Sequence, residues 1–163
     1  EEKPSVITPS SPPNIPPPPG GIRPRLLLQG DDNDNNLKAT RLSGDTTLKG
    51  LGGNDRLQGG SGNDLLDGRA GDDQMNGYLG SDTYLFYRGA GKDTIYEYTN
   101  PVGDTDVLAI IDPSISAEQL WFKKENTHLV MQLIGTQDRM MIESWIYWDQ
   151  PLKNLNSPME KLY

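Results

Sequence analysis

Large apolar residues recur at one fixed interval through the middle of this chain. Leu48, Leu57, Leu66, Met75 and Tyr84 each stand nine residues after the last, with glycine-rich polar stretches between them. A helix needs several apolar residues every two turns to bury a face, and one residue in nine does not supply them. The interval suits a half-coil instead: a tight turn, then a brief strand that points one side chain inward. Successive half-coils alternate sides, so two of them complete one turn of a flattened, two-sheet solenoid. Leu48, Leu66 and Tyr84 are expected to stack on one sheet, and Leu57, Met75 and Ile95 on the facing one. Gly30–Lys38 reads as a degenerate first unit ending on Leu37.

Past Ile95 the glycines thin out and β-formers take over. Asp106–Ile111 reads as a strand, and Ser116-Ala117-Glu118-Gln119 as the capped start of a short helical turn. Leu120–Lys123 and Leu129–Leu133 read as a hairpin around Glu125-Asn126-Thr127, and Arg139–Glu143 as a further strand. At the other end, residues 1–25 hold nine of the 13 prolines, including Pro16-Pro17-Pro18-Pro19. Such a stretch cannot bury apolar surface and tends to polyproline II, a spacer rather than a ligand for a proline-recognition domain. The expected fold is all-β: a parallel β-roll over 30–98, a β-rich C-terminal capping region over 99–163, and a disordered proline-rich linker over 1–29.

Composition sharpens this picture. Only 34% of the 163 residues are hydrophobic and 18 are glycine, so a large apolar core is not expected. The net charge of −8 argues against nucleic acid as a partner, and no apolar run is long enough to span a membrane. Cysteine is absent, which removes disulfides and cysteine-bound zinc as staples. Glu1-Glu2-Lys3-Pro4 does not read as a signal peptide, so the chain reads as a fragment or mature piece. The acids concentrate within the glycine-rich stretch, which points to a cation.

The repeating unit has the form G-G-x-G-x-D-x-U-x, with U the apolar residue. Gly59-Gly60-Ser61-Gly62-Asn63-Asp64-Leu65-Leu66-Asp67 fits at every position. The units at Gly50, Gly68 and Gly77 replace the second glycine by Leu51, Arg69 and Tyr78 but keep Gly53 and Asp55, Gly71 and Asp73, Gly80 and Asp82. Arg41–Lys49 keeps Gly44 but has Thr46 at the aspartate position, and Gly91-Lys92-Asp93-Thr94-Ile95 repeats the signature after a two-residue insertion. Loops on one side of such a roll stack at about 4.8 Å, and calcium–oxygen bonds are about 2.4 Å. An ion midway between stacked loops can therefore bond both, through aspartates and through carbonyls that the glycines aim at it. This pairs Asp55 with Asp73, Asp64 with Asp82, Asp73 with Asp93, and more weakly Asp82 with Asp106. Gly53, Gly62, Gly71, Gly80 and Gly91 complete the candidate set. Thr46 cannot replace a carboxylate, so a site it shares with Asp64 is expected to be weak unless Asp45 turns in.

These residues resemble the repeats-in-toxin (RTX) haemolysin-type calcium-binding nonapeptides over roughly 30–96. Gly80–Phe86 followed by Gly91–Ile95 resembles the junction to a haemolysin-type calcium-binding-related region, extending the likeness to about residue 148. The resemblance implies a calcium-binding module of a larger bacterial protein, exported by type I secretion and folded by calcium outside the cell. The departures from the family pattern fall at Thr46, Leu51, Arg69 and Tyr78, and the outer sites are expected to be weaker than the central ones.

Other features carry less. Strict nine-residue phasing is not a property of a flexible glycine/aspartate linker. Trp121, Trp145, Tyr147 and Trp148 suit the cap that a solenoid end needs better than a carbohydrate-stacking platform. His128 has no partner motif that would make it a base, and no convergent catalytic groups appear, so the chain is not expected to be an enzyme. The residues around Asp112-Pro113 do not resemble the self-cleaving module of iron-regulated relatives with similar repeats. The chain is expected to be monomeric, with any host or surface ligand unidentified. Two alternatives are an adhesin or partner-binding module using the aromatic C-terminal region, and the tail of an extracellular enzyme whose catalytic domain lies elsewhere.

Overall fold

The computed structural model describes residues 26–39, 44–96 and 103–143. The proline-rich stretch over 1–25, Trp145, Tyr147 and Trp148 lie outside these residues. The described residues form twelve strands and one 3-10 turn at Ala117–Gln119. In chain order the strands are β1 (Leu26–Gln29), β2 (Asn36–Lys38), β3 (Thr46–Gly52), β4 (Arg56–Ser61), β5 (Leu65–Ala70), β6 (Gln74–Leu79), β7 (Thr83–Phe86) and β8 (Lys92–Tyr96). They are followed by β9 (Val107–Ile110), β10 (Leu120–Glu125), β11 (His128–Leu133) and β12 (Arg139–Glu143).

Odd and even strands of the repeat part company, as the nine-residue alternation requires. One sheet has the order β1-β3-β5-β7-β9, and the other β10-β11-β12-β8-β6-β4-β2. All neighbours in the first sheet are parallel, and the register places Leu28, Leu48, Leu66, Tyr84 and Leu108 in one column. In the facing sheet Leu37, Leu57, Met75, Ile95 and Ile142 form the matching column. Leu48, Leu57, Leu66 and Met75 are wholly buried, so the two columns are the core. Each strand is short because each supplies little more than one core side chain. Tyr84 fits there because its hydroxyl accepts the Gly77 N–H at 2.9 Å, which satisfies its polar end.

The start of the roll differs from expectation. β1 pairs with β3 through Leu26–Gln29, so the first sheet begins inside the segment expected to be linker. β9 pairs in parallel with β7, and β12 in parallel with β8. The C-terminal strands therefore lengthen both sheets at the end where a β-rich cap was expected. Unpaired backbone at a sheet edge favours another strand over a side-chain cover, and that is what the chain supplies. β10 and β11 form the expected hairpin, with Glu125 opposite His128 and Asn126 at φ 54° in the turn. Ser116 opens the 3-10 turn in a capping box, its amide donating to Gln119 Oε1 at 2.9 Å.

Candidate metal centre

Two edges run along the roll where the chain passes from one sheet to the other. The first edge stacks the loops that hold Asn35, Asp55, Asp73 and Asp93; the second stacks those of Thr46, Asp64, Asp82 and Asp106. On the first edge the Asp55 amide donates to Asp73 Oδ1 at 2.7 Å, and the Asp73 amide to Asp93 Oδ1 at 3.1 Å. On the second, the Asp64 amide donates to Asp82 Oδ1 at 2.8 Å, and the Asp82 amide to Asp106 Oδ1 at 2.9 Å. All four aspartate pairs read from the spacing are thus brought together. Asp82–Asp106, the pair expected to be weaker because six extra residues intervene, has the same geometry as the others. The loop over those residues absorbs the insertion while the strands keep register.

Each of these ladders ends upstream on a residue that carries no charge. The Asn35 amide donates to Asp55 Oδ1 at 2.8 Å and the Thr46 amide to Asp64 Oδ1 at 2.6 Å. Asp45 does not turn inward to help Thr46; its Oδ1 accepts the Asn63 amide at 2.9 Å.

The glycines before the aspartates are where neighbouring turns touch. Gly71 has φ 146° and Gly80 φ 116°, and a Cβ at either would run into the carbonyl oxygen of Gly53 or Gly62 one turn earlier. Leu51, Arg69 and Tyr78 keep the left-handed backbone of the glycine they replace, at φ 84°, 68° and 75°. That conformation costs an L-residue about 1–2 kcal/mol, so the loop shape is imposed by stacking against the local preference.

A second ladder, one residue earlier in each unit, was not read from the sequence. Asp34 Oδ1 accepts the Asn54 amide at 2.7 Å, Asn54 Oδ1 the Asp72 amide at 2.8 Å, and Asp72 Oδ1 the Lys92 amide at 3.0 Å. On the other edge Asn63 Oδ1 accepts the Ser81 amide at 2.9 Å, and Ser81 Oγ the Thr105 amide at 2.9 Å. Here the acceptor lies upstream of its donor, opposite to the aspartate ladder. The signal was present: short acceptor side chains recur at this position, where the consensus allows any residue.

The inner carboxylates are the electrostatic problem of the fold. Asp55, Asp64, Asp73, Asp82 and Asp93 are each about 2% exposed or less. The Oδ2 atoms of Asp55, Asp73 and Asp82 are buried without a hydrogen-bond partner. Each points at the first glycine of its own unit, Gly50, Gly68 or Gly77, where a Cβ would meet it. At Gly50 the same space borders the carbonyl oxygen of Gly68, 2.6 Å from where that Cβ would stand. Burial, the main cause, and neighbouring carboxylates push Asp73 up to about 6, Asp82 to about 7 and Asp93 to about 8, and raise Asp55 as well.

A buried carboxylate oxygen without a donor is costly unless a cation meets it. The donors available are all hard oxygens, anionic or carbonyl, which suits calcium rather than a softer metal. Among the described residues no three acidic or histidine side chains converge. Two aspartates per gap is the side-chain supply, and backbone carbonyls would complete the shell. The residues present fit a calcium ion between stacked loops.

The family match agrees with this chemistry. The family model described as the RTX calcium-binding nonapeptide repeat matches residues 43–84 in four copies. The iron-regulated protein FrpA of Neisseria meningitidis serogroup C is 34% identical over 66 residues, which cover 40% of this chain and 6% of that protein. The match therefore takes in a small part of that relative. The solution structure of the AlgE6R3 subunit from the Azotobacter vinelandii mannuronan C5-epimerase is 28% identical, covering 70% of this chain and 72% of that one at a TM-score of 0.49. The buried aspartate ladders, the stacked glycine turns and the matched copies lead to one identification: residues 43–84 of this chain are RTX calcium-binding nonapeptide repeats, wound into a β-roll.

Proposed function

We propose that this chain is the calcium-folded module of a larger exported bacterial protein, and that it has no catalytic role of its own. The observation that carries this is the row of buried, unpartnered Oδ2 atoms on Asp55, Asp73 and Asp82. With no cation these carboxylates repel one another and the loops resist stacking. With calcium, binding free energy becomes folding free energy. Extracellular calcium lies in the millimolar range that suits such modules, so the chain would stay loose before export and fold after it. That behaviour suits type I secretion, in keeping with the RTX identity of the repeats, and a monomer that does not bind nucleic acid.

Circular dichroism of the chain titrated with calcium, with magnesium as the control ion, tests the proposal. A gain of β signal with calcium alone is expected; equal spectra in chelator and in calcium would sink it. A second reading, partner binding through the C-terminal region, is favoured by Trp121, which is 54% exposed with Lys123 Nζ 5.5 Å from its ring centroid. A glycan array and pull-down with and without calcium separate that reading from the first. Activity assays on the full-length protein test whether the module is the tail of an enzyme.

A further inference from the structure

In three units of the roll, the amide of the glycine at the fourth position donates to a backbone carbonyl of the next turn on its own edge. Gly44 donates to Ser61 at 3.0 Å, Gly62 to Leu79 at 3.0 Å, and Gly71 to Ala90 at 3.1 Å. The last such glycine on each edge does something else. Gly80 donates to Asp104 Oδ2 at 3.1 Å, and Gly91 to Asp138 Oδ1 at 3.2 Å. The other oxygen of Asp138 accepts the Gly89 amide at 2.8 Å, across 49 residues of chain. Two different loops therefore end the two stacks in the same way, with a carboxylate where a further turn would have placed a carbonyl.

Asp138 is held for this task. Its amide donates to Thr136 Oγ1 at 3.0 Å and its carbonyl accepts the Leu133 amide at 2.9 Å. The next residue, Arg139, donates its amide to the Gly91 carbonyl at 2.8 Å as β12 begins. Asp138 is 7% exposed, and a buried carboxylate is costly unless its charge is met. A carbonyl in its place would have cost little. The carboxylate instead places a further acidic group against the Gly89 and Gly91 amides, on the loop that leads to Asp93, where a cation in the last gap would offset it.

We propose that Asp138 and Asp104 are positioning residues that terminate the two loop stacks and make docking of the C-terminal strands depend on the cation in the last gap of each edge. The proposal rests on the calcium reading of the repeats. Replacing Asp138 by asparagine keeps the shape and one acceptor, but removes the charge and the second acceptor.

The test is a calcium titration of the isotope-labelled full chain, followed at the amides of Gly62, Gly80, Gly89 and Gly91 and by Trp121 fluorescence. D138N is expected to raise the calcium midpoint about tenfold at Gly89, Gly91 and Trp121, while Gly62 titrates as in the wild type. D104N is expected to shift Gly80 and leave Gly89 and Gly91 in place. A residue that merely held the fold together would move every signal by the same factor, and that outcome overturns the proposal, as does a D138N chain that titrates like the wild type. Should D138N stay unfolded at saturating calcium, D104N decides alone, and an unshifted Gly80 overturns the idea. A wild type that ignores calcium sinks the underlying reading and this inference with it, whereas a responsive wild type beside an unaltered variant sinks this inference only.

Discussion

The repeat strands β4, β6 and β8 and the C-terminal strands β10–β12 share a sheet yet bury different chemistry. In the repeat, one buried apolar residue per strand faces a column of its own kind, and the loops bury carboxylates along both edges. On β11 and β12 the apolar positions alternate, Met131 and Leu133, then Met140 and Ile142, all 5% exposed or less, with Val130 buried on the opposite face of β11. That alternation buries one face of a sheet with no ion needed. The comparison teaches that one sheet can be sealed by apolar residues alone at one end, while its repeat strands end in loops whose buried carboxylates call for a cation.

The largest test of this contrast is removal of the C-terminal strands. A chain ending near residue 98 keeps Asp55, Asp64, Asp73, Asp82 and Asp93 but exposes the unpaired edges of β7 and β8. Calcium-induced β signal should then appear only at calcium concentrations about tenfold higher or more, as loss of a whole flanking strand on each sheet implies. Folding at an unchanged calcium concentration would make the C-terminal region an independent module.

Single aspartates should matter next. Asp73 links two neighbours on its edge, whereas Asp45 is exposed and accepts one amide in the outer ladder. Asp73→Ala is expected to remove roughly 2–4 kcal/mol of calcium-loaded stability, and Asp45→Ala less than about 1 kcal/mol. Denaturant unfolding in saturating calcium measures both, and equal losses would remove the assignment of the inner ladder.

Acid should partly imitate calcium. The raised values of Asp73, Asp82 and Asp93, about 6, 7 and 8, mean that the folded chain holds protons the unfolded chain has released. Their contribution to stability is full below an ordinary aspartate value near 4 and is lost as pH rises through 6 to 8. In chelator, lowering the pH from 8 to 5 is therefore expected to increase β signal, and the calcium midpoint to be least sensitive to pH above 8. A chelated chain that loses structure across the same range would contradict the electrostatic account.

The smallest effect concerns backbone strain. Leu51 is half-buried at φ 84° in place of the consensus glycine. Leu51→Gly relieves that conformation and gives back some chain entropy, for a net gain of up to about 1 kcal/mol in calcium-loaded stability. Thermal unfolding reads it, and a loss of similar size would show that the leucine side chain contributes more than its strained backbone costs.

Much of this molecule was readable one residue type at a time. The nine-residue spacing of Leu48, Leu57, Leu66, Met75 and Tyr84 determines which strands share a sheet, because each unit is a half-turn and side chains point inward once per unit. Asp55, Asp64, Asp73 and Asp82 follow from the same period, since equal spacing stacks equal positions. What repeats locally is decided locally. The tertiary structure decided the rest. The outer ladder of Asp34, Asn54, Asp72, Asn63 and Ser81 tolerates any short acceptor, so no single residue type marks it. Strand β1 lies before the first recognisable unit and is defined only by its pairing with β3. Asp104 and Asp138 occupy equivalent places at the ends of the two edges, yet they lie outside the nine-residue register. Only the folding back of β9 and β12 onto the roll brings them there, because long-range sheet pairing, unlike a repeat, leaves no period in the chain.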